Sequence, residues 1–466
     1  AFQHENTCCG YGVDLGGRGI SMTGIDSAEE PMVTQPRGID LRAVWQLTSM
    51  SLGVGVFAIP YCFNALGSLQ GGIFVLVLGF LANTAIERLL DCAEIHSRSK
   101  YEEIAKTAFG RGGQFAMAFV IGITTFIASL SYLSSATELL VCVTYTFLTG
   151  HESKGGAASI ISKGKKAIVL LILVMISMPK LLKRSMGENA MISTVGVFCM
   201  SAAAIIFVGN CVLILAKGDN KEPSHEAGSP EHIVFNILEN MATLAFSFSM
   251  VFAVFPLVGD KVAECGSVAA AARSMRAVVR TSIGFSVCIY LLVGFTGSLA
   301  YGGEIKELSL QNLSLLQALP QLTSAVVGVC SLLLVAIVGF PCIESIELFC
   351  KMANPNSTSD PRVAIVCIVA IACVGIDAFI DTRIAFALTG ALGLSLGAYV
   401  MPSLLYLRLR DRTIPGSTYR FWSAVLLLCF GAVILLGGTP AIVVAAIGGD
   451  TPKKPSESEP SRYVFL

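Results

Sequence analysis

The sequence predicts an all-α integral membrane protein with about eleven transmembrane helices. Its composition is the first reason, because 54% of the 466 residues are hydrophobic and only 14% are charged. A soluble domain carries roughly 25% charged residues, and the mean hydropathy of this chain is +0.72. The second reason is that apolar runs of about 20 residues, the length that crosses a bilayer, recur along the chain. We therefore expect the lipid bilayer, and not nucleic acid, to be its surroundings.

The apolar runs define the elements. We call them segments 1 to 11 in chain order: 43–67, 70–91, 114–148, 166–182, 189–216, 232–258, 277–301, 321–349, 362–380, 383–408 and 421–445. Segment 3 is the longest, and its roughly 35 residues would reach about 52 Å at 1.5 Å per residue. We expect this helix to tilt strongly or to project from the bilayer.

The chain divides into three parts. Residues 1–40 are predicted to form a flexible cytoplasmic tail, residues 41–448 the transmembrane domain and residues 449–466 a C-terminal tail. With the first tail inside, about two thirds of the 32 Lys and Arg residues fall on the cytoplasmic side, as the positive-inside rule requires. We expect a multi-pass protein with a cytoplasmic N-terminus, in the plasma membrane or in an internal membrane of vacuolar or lysosomal type.

Segment 1 contains an unusual centre, S-M-S-L-G-V-G-V-F-A-I-P from Ser49 to Pro60. Glycine and proline weaken helical hydrogen bonding, and non-helical backbone at membrane depth is tolerated where it lines a cavity. Such discontinuous helices form the substrate sites of secondary transporters. One hypothesis is that Ser51, Gly53 and Gly55 mark a break that holds a small solute. The alternative is a packing face, because small residues also let transmembrane helices approach closely.

Segment 6 shows a similar interruption, T-L-A-F-S-F-S-M-V-F-A-V-F-P from Thr243 to Pro256. Its V-F-A-V-F-P resembles the V-F-A-I-P of segment 1, and an odd number of crossings makes the two segments antiparallel. Corresponding interruptions in two halves indicate the binding site of an inverted-repeat transporter. Phe246 and Ser247 at this interruption are candidates for lining the substrate pocket. Phenylalanine in a spanning helix also commonly faces lipid or protein.

Seven motifs in chain order resemble the amino acid/auxin permease family, within the inverted-repeat amino acid transporter superfamily. They cover residues 40 to 445, nearly everything but the tails. They are S-x-x-G-V-G-V-F-A-I-P in segment 1, Y-E-E-I-A-K-T-A-F-G after segment 2, Y-L-S-S-A-T-E-L-L in segment 3, L-A-F-S-F in segment 6, Y-G-G-E after segment 7, G-F-P in segment 8 and L-T-G-A-L-G-x-x-L-x-A-Y-V-M-P in segment 10.

The resemblance implies a five-plus-five inverted repeat with discontinuous helices 1 and 6, plus one extra helix. It also implies a transporter domain over residues 41–448 that moves amino acids by alternating access. The sodium-coupled branch of the family carries an asparagine in helix 1 and a threonine in helix 8, where this chain has Ser49 and Leu334. Leucine offers no oxygen to a cation. We therefore expect proton-coupled or facilitative transport, with the amino acid and possible protons as partners.

Two residues of segment 3 are further candidates. Glu138 lies about ten residues before the end of the segment, roughly 15 Å deep by helix rise, and a desolvated carboxyl there is suited to carry protons. A structural hydrogen bond and the recognition of a cationic substrate are the alternatives. The hydroxyl of Tyr132, near the middle of the segment, is expected to meet the substrate or to bond elsewhere. Asp377 is expected to be a solvated or paired carboxylate at an outer rim, and Glu239, about seven residues into its segment, is expected to lie near the interface.

Other functions have less support in the sequence. The metal-binding motif H-E-x-x-H does not occur, and we expect no enzyme. No His–Cys spacing indicates a metal, and no cofactor is expected. A transporter of another small organic solute is the main alternative. A polytopic channel or receptor is less favoured, because no filter-like repeat is visible and a seven-helix receptor needs fewer segments.

Overall fold

The fold was analysed in a computed structural model. The structure describes residues 39–151, 160–182, 190–219, 221, 230–354, 360–377, 382–410 and 416–448, and no β-strand occurs among them. The two expected tails, 1–40 and 449–466, lie almost entirely outside these residues. The described chain from residue 39 onward belongs to one compact unit.

Helices occupy every predicted segment. In the first half they span Leu41–Ser51 and Ile59–Leu66 in segment 1, Ser68–His96 in segment 2, Tyr101–Thr149 in segment 3, Lys163–Leu181 in segment 4 and Ala190–Lys217 in segment 5. In the second half they span Pro230–Phe246 and Val251–Cys265 in segment 6, Val268–Tyr301 in segment 7, Ala318–Ala353 in segment 8 and Arg362–Asp377 in segment 9. Segment 10 runs from Thr382 to Leu409 through a π-helical stretch, Thr389–Val400, and segment 11 runs from Ser417 to Gly448.

The structure confirms an integral membrane protein. Among the described residues, eight helices are long and apolar enough to cross a membrane, or nine if the bent pair in segment 1 is one span. The helices of segments 4 and 9 are outside that count, because they contain more charge or fewer residues than a full span requires. The predicted all-helical fold class is thus correct, with eight or nine clear spans.

The packing of the two halves repeats, which supports the five-plus-five arrangement. Segment 1 packs on segments 5 and 7, and segment 6 packs on the corresponding segments 10 and 2. Segment 8 packs on 5 and 4, and segment 3 packs on 10 and 9 in the same way. Segments 3 and 8, which correspond to each other, pack against one another more extensively than any other pair. Segment 11 lies outside the repeat and packs mainly on segment 10.

The helix of segment 3 begins earlier than predicted, at Tyr101. This helix is interrupted at Gly110, whose φ of 70° is a left-handed conformation that suits glycine. The motif from Tyr101 onward is therefore a separate short helix that leads into the spanning part. The hydroxyl of Tyr101 donates to the carbonyl of Gly397 at 2.8 Å, which fixes this short helix against segment 10.

A network of ion pairs joins the end of segment 2 to segments 7 and 11. Asp91 is 5% exposed, and its carboxylate accepts from Arg88 at 2.9 Å and Arg276 at 2.8 Å, with Arg420 at 3.4 Å. A buried carboxylate needs such partners to offset its desolvation. We call this end of the molecule, where segment 1 also begins, the basic end.

Candidate functional site

Segment 1 is broken where the glycines predict a break. Its first helix ends at Ser51, and the next part of the segment is bent away from it by 50°. Gly53 is extended (φ −81°, ψ −164°) and leads into a short 3-10 helix, Val54–Phe57. The first N–H groups of a helix have no acceptor within it, so the amides around Gly53 to Gly55 are suited to bind an anion.

Segment 6 is interrupted without a comparable bend. Residues 247–250 form turns between its two helices, yet the segment continues as one span from Val234 to Cys265. The backbone N–H of Ser247 donates to the carbonyl of Leu244 at 3.1 Å, and that of Ser249 donates to Phe246 at 3.1 Å. These shorter i→i+3 bonds keep the backbone satisfied through the interruption.

The two breaks are bonded to each other. The Ser51 hydroxyl donates to the Ser247 carbonyl at 2.8 Å, and the Ser249 hydroxyl donates to the Met50 carbonyl at 3.0 Å. Tyr290 of segment 7 lies between them, with its hydroxyl 2.6 Å from the Ser51 carbonyl and 2.7 Å from the Ser247 carbonyl. The carbonyls that the breaks release from their helices are therefore held by hydroxyls.

Gly53 is required by the side chain that faces it. A Cβ atom at residue 53 would lie 1.7 Å from the Tyr132 hydroxyl oxygen and 2.4 Å from the ring carbon that bears it. At Gly55 the same atom would lie 3.3 Å from the Phe246 ring and 3.4 Å from the Ser247 hydroxyl. The glycines thus give space to aromatic and polar groups of segments 3 and 6, and do more than loosen the helix.

All six substrate-binding candidates meet at one buried place. Ser51, Tyr132 and Phe246 are each 2% exposed and Ser247 is 3% exposed, while Gly53 and Gly55 are also buried. The Ser247 hydroxyl is buried and has no hydrogen-bond partner among the described residues. A buried hydroxyl without a hydrogen-bond partner destabilises the folded protein. The Ser247 hydroxyl is therefore available to bond a polar molecule in the site.

The site is closed at the end opposite to the basic end. Arg383, at the start of segment 10, forms a two-pronged ion pair with Glu239 of segment 6, at 2.5 and 2.8 Å. The Arg383 guanidinium also lies 5.8 Å from the ring centre of Tyr61, which follows the break in segment 1. These three residues line a small crevice that also reaches Ala58 and Phe386. Phe386 stacks on Phe246 with ring centres 5.2 Å apart.

A second ion pair closes the basic end. Lys261, near the end of segment 6, lies 2.7 Å from the Asp40 carboxylate, and Asp40 caps the first helix of segment 1 through bonds to the N–H groups of Arg42 and Ala43. Burial raises the pKa of Asp40, but the bonds from Lys261 and from these amides outweigh it. The pKa of Asp40 therefore lies below its ordinary value of 3.8.

Two carboxylates differ from their sequence-based expectations. Glu138 is only half-buried, and it accepts a hydrogen bond from the Gln311 side chain at 3.1 Å. Asp377, expected at a solvated or paired position, is 0% exposed, and neither carboxylate oxygen has a hydrogen-bond partner in the described part of the chain. Glu239, expected near the interface, is paired with Arg383, a partner that the sequence does not predict.

The resemblance places Leu334 and Ser49 at sodium-binding positions. In the structure these two residues make apolar contacts and a hydrogen bond within one helix, respectively. The Leu334 side chain is 1% exposed and packs towards Gly196 of segment 5. The Ser49 hydroxyl donates to the Gln46 carbonyl of its own helix at 2.8 Å. No cluster of three or more His, Cys, Asp or Glu residues suited to a metal occurs in the described ranges.

Sequence reasoning missed three site residues: Tyr290, Ser249 and Arg383. The signal for Tyr290 was a single tyrosine in the apolar run S-V-C-I-Y-L-L-V of segment 7, because a tyrosine buried in a membrane helix usually bonds a partner. Ser249 belongs to the small-residue interruption already noted in segment 6. For Arg383 the signal was an arginine at the start of a spanning segment, which requires a counter-charge.

Two interrupted helices that face each other inside an apolar bundle define a membrane transport protein. Residues 40–444 match the family model for the transmembrane amino acid transporter protein. The chain belongs to this family, and the resemblance seen in its motifs is confirmed.

Individual relatives are distant. The chain is 23% identical over 458 residues to amino acid transporter AVT6E of Arabidopsis thaliana, covering 91% of this chain and 88% of that protein. It is 22% identical over 431 residues to sodium-coupled neutral amino acid symporter 2 of Danio rerio, covering 86% and 81%. A match to sodium-coupled neutral amino acid transporter 7 of Xenopus laevis, at 22% identity, spans 59% of this chain and 57% of that protein.

Among solved structures, the chain is similar to a manganese transporter from Eremococcus coleocola. The TM-score is 0.45 at 13% identity, with 89% of this chain and 88% of that chain covered. A second structure of the same transporter, in complex with an aromatic bis-isothiourea substituted compound, gives a TM-score of 0.44 at 13% identity, with 90% of each chain covered.

Proposed function

We propose that this protein is a secondary transporter that moves amino acids across a membrane by alternating access. The observation that carries the proposal is the contact between the two breaks through Ser51, Ser247 and Tyr290. It lies at the place where a transporter of this class holds its substrate. Membership of the family and the names of the relatives, which are amino acid transporters, support the choice of substrate.

The amide groups from Gly53 to Gly55 bind the substrate carboxylate in this proposal, because they lie at the start of a helix. The substrate ammonium takes the carbonyls of Ser51 and Ser247. In the closed arrangement these carbonyls accept hydrogen bonds from hydroxyl groups. When the substrate binds, its ammonium replaces these hydroxyl donors. Tyr132 occupies the space in front of Gly53, and its ring must swing away to admit the substrate.

The two ion pairs at the ends serve as alternating closures. The pair Arg383–Glu239 ties segment 10 to segment 6 on one side of the site. The pair Lys261–Asp40 ties segment 6 to segment 1 on the other. We place the basic end in the cytoplasm, since its cluster of arginines follows the positive-inside rule. Alternating access then requires that one pair opens while the other stays closed.

Transport is proposed to be proton-coupled or facilitative, without a sodium requirement. Two of the relatives are named as sodium-coupled, but Leu334 supplies no ligand and Ser49 already bonds its own helix. Uptake into proteoliposomes should therefore survive the replacement of sodium by choline. A strict, saturable requirement for sodium contradicts this part of the proposal.

Glu138 stays a prediction as a proton carrier or as a reader of substrate charge. In Glu138→Gln, the loss of pH-driven accumulation with intact amino acid exchange indicates a proton carrier. The loss of cationic substrates alone indicates a recognition residue. Wild-type behaviour in both assays makes Glu138 a structural residue, bonded to Gln311.

The test of the proposed function is stereoselective, saturable amino acid uptake by the purified protein in liposomes. Gly53→Val and Gly55→Val should insert into the membrane but abolish uptake, because their side chains fill the site. Normal uptake by both variants would reject the site. The absence of uptake by the wild type across a panel of neutral, proline-like and cationic amino acids would reject the function.

A further inference from the structure

The strongest unexplained group in the molecule is the carboxyl of Asp377, the last residue of the helix in segment 9. It is 0% exposed, and neither of its oxygens accepts a hydrogen bond from the described residues. Asp91 is a useful contrast, because it is buried to a similar degree yet is paired with three arginines. An ionised carboxylate that is buried without donors is costly by several kcal/mol or more.

The charged groups around Asp377 come from two neighbouring segments. The charges of Lys166 in segment 4 and Glu138 in segment 3 interact electrostatically with its carboxyl. The Ser134 hydroxyl also lies close to it. The Lys166 ammonium, however, donates to the backbone carbonyl of Asp377 at 3.0 Å. No ion pair within 4 Å joins it to the carboxylate in the residues described. The carboxyl therefore has no ionic partner among the described residues, although a cation lies beside it.

The third segment packed on segment 9 adds no charge at this point. Segment 8 presents the thiol of Cys342, which faces Cys373 one turn before Asp377. Both thiols are buried. Among the described residues, the groups named around the carboxyl are therefore one cation, one half-buried carboxylate, the Ser134 hydroxyl and buried thiols.

We propose that Asp377 is a proton-binding site of the transporter, filled in this closed arrangement. Protonation of the Asp377 carboxyl avoids the free-energy cost of a buried charge. The Lys166 ammonium then stays hydrogen-bonded to the backbone carbonyl of Asp377. After the proton leaves, the carboxylate draws the Lys166 ammonium from the carbonyl of the same residue to its own oxygens. No atom other than the proton is transferred. Asp377, and not Glu138, holds the proton in this account.

This site is connected to the closure opposite the basic end. Ser134, beside Asp377, is bonded to the Thr382 hydroxyl at 2.8 Å. The next residue, Arg383, carries the ion pair to Glu239 of segment 6. A change at Asp377 that moves Ser134 or Lys166 therefore acts on the helix that opens or closes the substrate site. The link to transport rests on the proposed function, whereas proton binding itself does not.

The proton site can be tested without transport by infrared spectroscopy of the reconstituted protein as a function of pH. A carboxylic acid band that disappears on raising the pH should be present in the wild type and missing from Asp377→Asn. In Lys166→Met the band should persist to higher pH, because the ammonium that favours the carboxylate is gone. This second variant keeps the test open if Asp377→Asn does not fold. Identical bands in the wild type and both variants would overturn the proposal.

Transport then gives an independent readout. An inward proton gradient should drive amino acid accumulation by the wild type, and Asp377→Asn should lose this accumulation while amino acid exchange persists. If wild type and variant accumulate equally, the coupling role is wrong. A sodium-driven accumulation that Asp377→Asn abolishes would assign the site to a metal cation and overturn the proton assignment. If the wild type shows no amino acid uptake, the proposed function fails while the infrared result still decides the proton site.

Discussion

The breaks in segments 1 and 6 occupy corresponding positions but are built differently. Segment 1 has two glycines at its break and bends by 50°. Segment 6 has none between Phe246 and Met250, and it continues as one span through i→i+3 bonds. The difference shows that glycine is not needed to interrupt a membrane helix. It is needed where another side chain, here Tyr132, lies against the backbone.

A consequence is that the two breaks have separate tasks. The first supplies space and the amides at the start of a helix, because its backbone turns away from the helix axis. The second supplies carbonyls and hydroxyls, because its residues stay close to helical positions. Tyr290 joins the two, with one hydroxyl shared between the carbonyls of Ser51 and Ser247. An amino acid, with a carboxylate at one end and an ammonium at the other, matches this pair of surfaces.

The largest expected effect is the loss of uptake and stability when alanine replaces a glycine at the break in segment 1, compared with a glycine elsewhere in a helix. Gly53→Ala should abolish uptake and lower thermal stability, since its Cβ would lie 1.7 Å from the Tyr132 oxygen. Overpacking of this kind costs about 1–3 kcal/mol. Gly55→Ala, with contacts at 3.3 Å, should be impaired less. Uptake assays and thermal unfolding in detergent measure both effects.

Gly284→Ala is the matched control for these variants. Nothing lies within 4 Å of the added atom at this position in segment 7, and alanine favours a helix over glycine by roughly 0.5–1 kcal/mol. Unchanged uptake and equal or higher stability are expected. If Gly53→Ala behaves like Gly284→Ala, the close approach of Tyr132 has no functional weight.

The next effect tests the bond between the breaks. Tyr290→Phe removes the hydroxyl shared by two buried carbonyls, and a buried polar group left without its partner costs about 1–3 kcal/mol. We expect a lower Tm than in the wild type and reduced uptake. Tyr419→Phe, at a residue 65% exposed, should leave both unchanged. Equal Tm values for the two variants would show that the breaks are held by other contacts.

A smaller effect compares two buried serines. The Ser249 hydroxyl crosses from segment 6 to the Met50 carbonyl, whereas the Ser49 hydroxyl bonds within its own helix. Ser249→Ala should lose about 1 kcal/mol and increase the accessibility of a cysteine placed at the first break. Ser49→Ala should have little effect on stability or on the accessibility of that cysteine. The opposite order of the two effects would contradict the idea that hydroxyls from segment 6 hold segment 1.

The smallest effect concerns the ion pair Asp40–Lys261 at the basic end. The folded protein has a lowered pKa at Asp40, so the carboxylate adds stability above about pH 4 and loses it as the pH falls through the folded value. Thermal unfolding of Asp40→Asn should show a deficit near pH 7 that shrinks as the pH falls below 3.8. The variant Asp219→Asn, at an exposed position, should follow the wild type. A deficit that is independent of pH would assign the effect to the helix cap alone.

The sequence predicted the parts of this site that depend on local chemistry. Glycine, serine and proline in the middle of an apolar run indicated both breaks, and five of the six candidates were chosen on that basis. Tyr290 could not be chosen in this way, because its acceptors are 239 and 43 residues away. The ion pair Arg383–Glu239 joins residues 144 positions apart. Such pairings depend on helix packing, which one sequence does not reveal.

The differences between prediction and structure at Glu138 and Asp377 have a similar cause. The depth of Glu138 was counted from the end of its helix, but the connection between segments 7 and 8 folds over it. That connection buries Leu308 and Leu310 and brings Gln311 to the carboxylate. The position of Asp377 near the end of its segment predicts a solvated or paired carboxylate, whereas in the structure the residue is buried and its helix packs on segments 3 and 4.

The most direct measurement of the central claim is competition for amino acid binding to the purified protein. The account predicts that an amino acid displaces a labelled amino acid, and that its carboxamide, which lacks the negative charge, fails to do so. Gly53→Ala should bind neither compound. If the carboxamide competes as well as the acid, and Gly53→Ala binds like the wild type, the substrate does not lie against the amides of the first break.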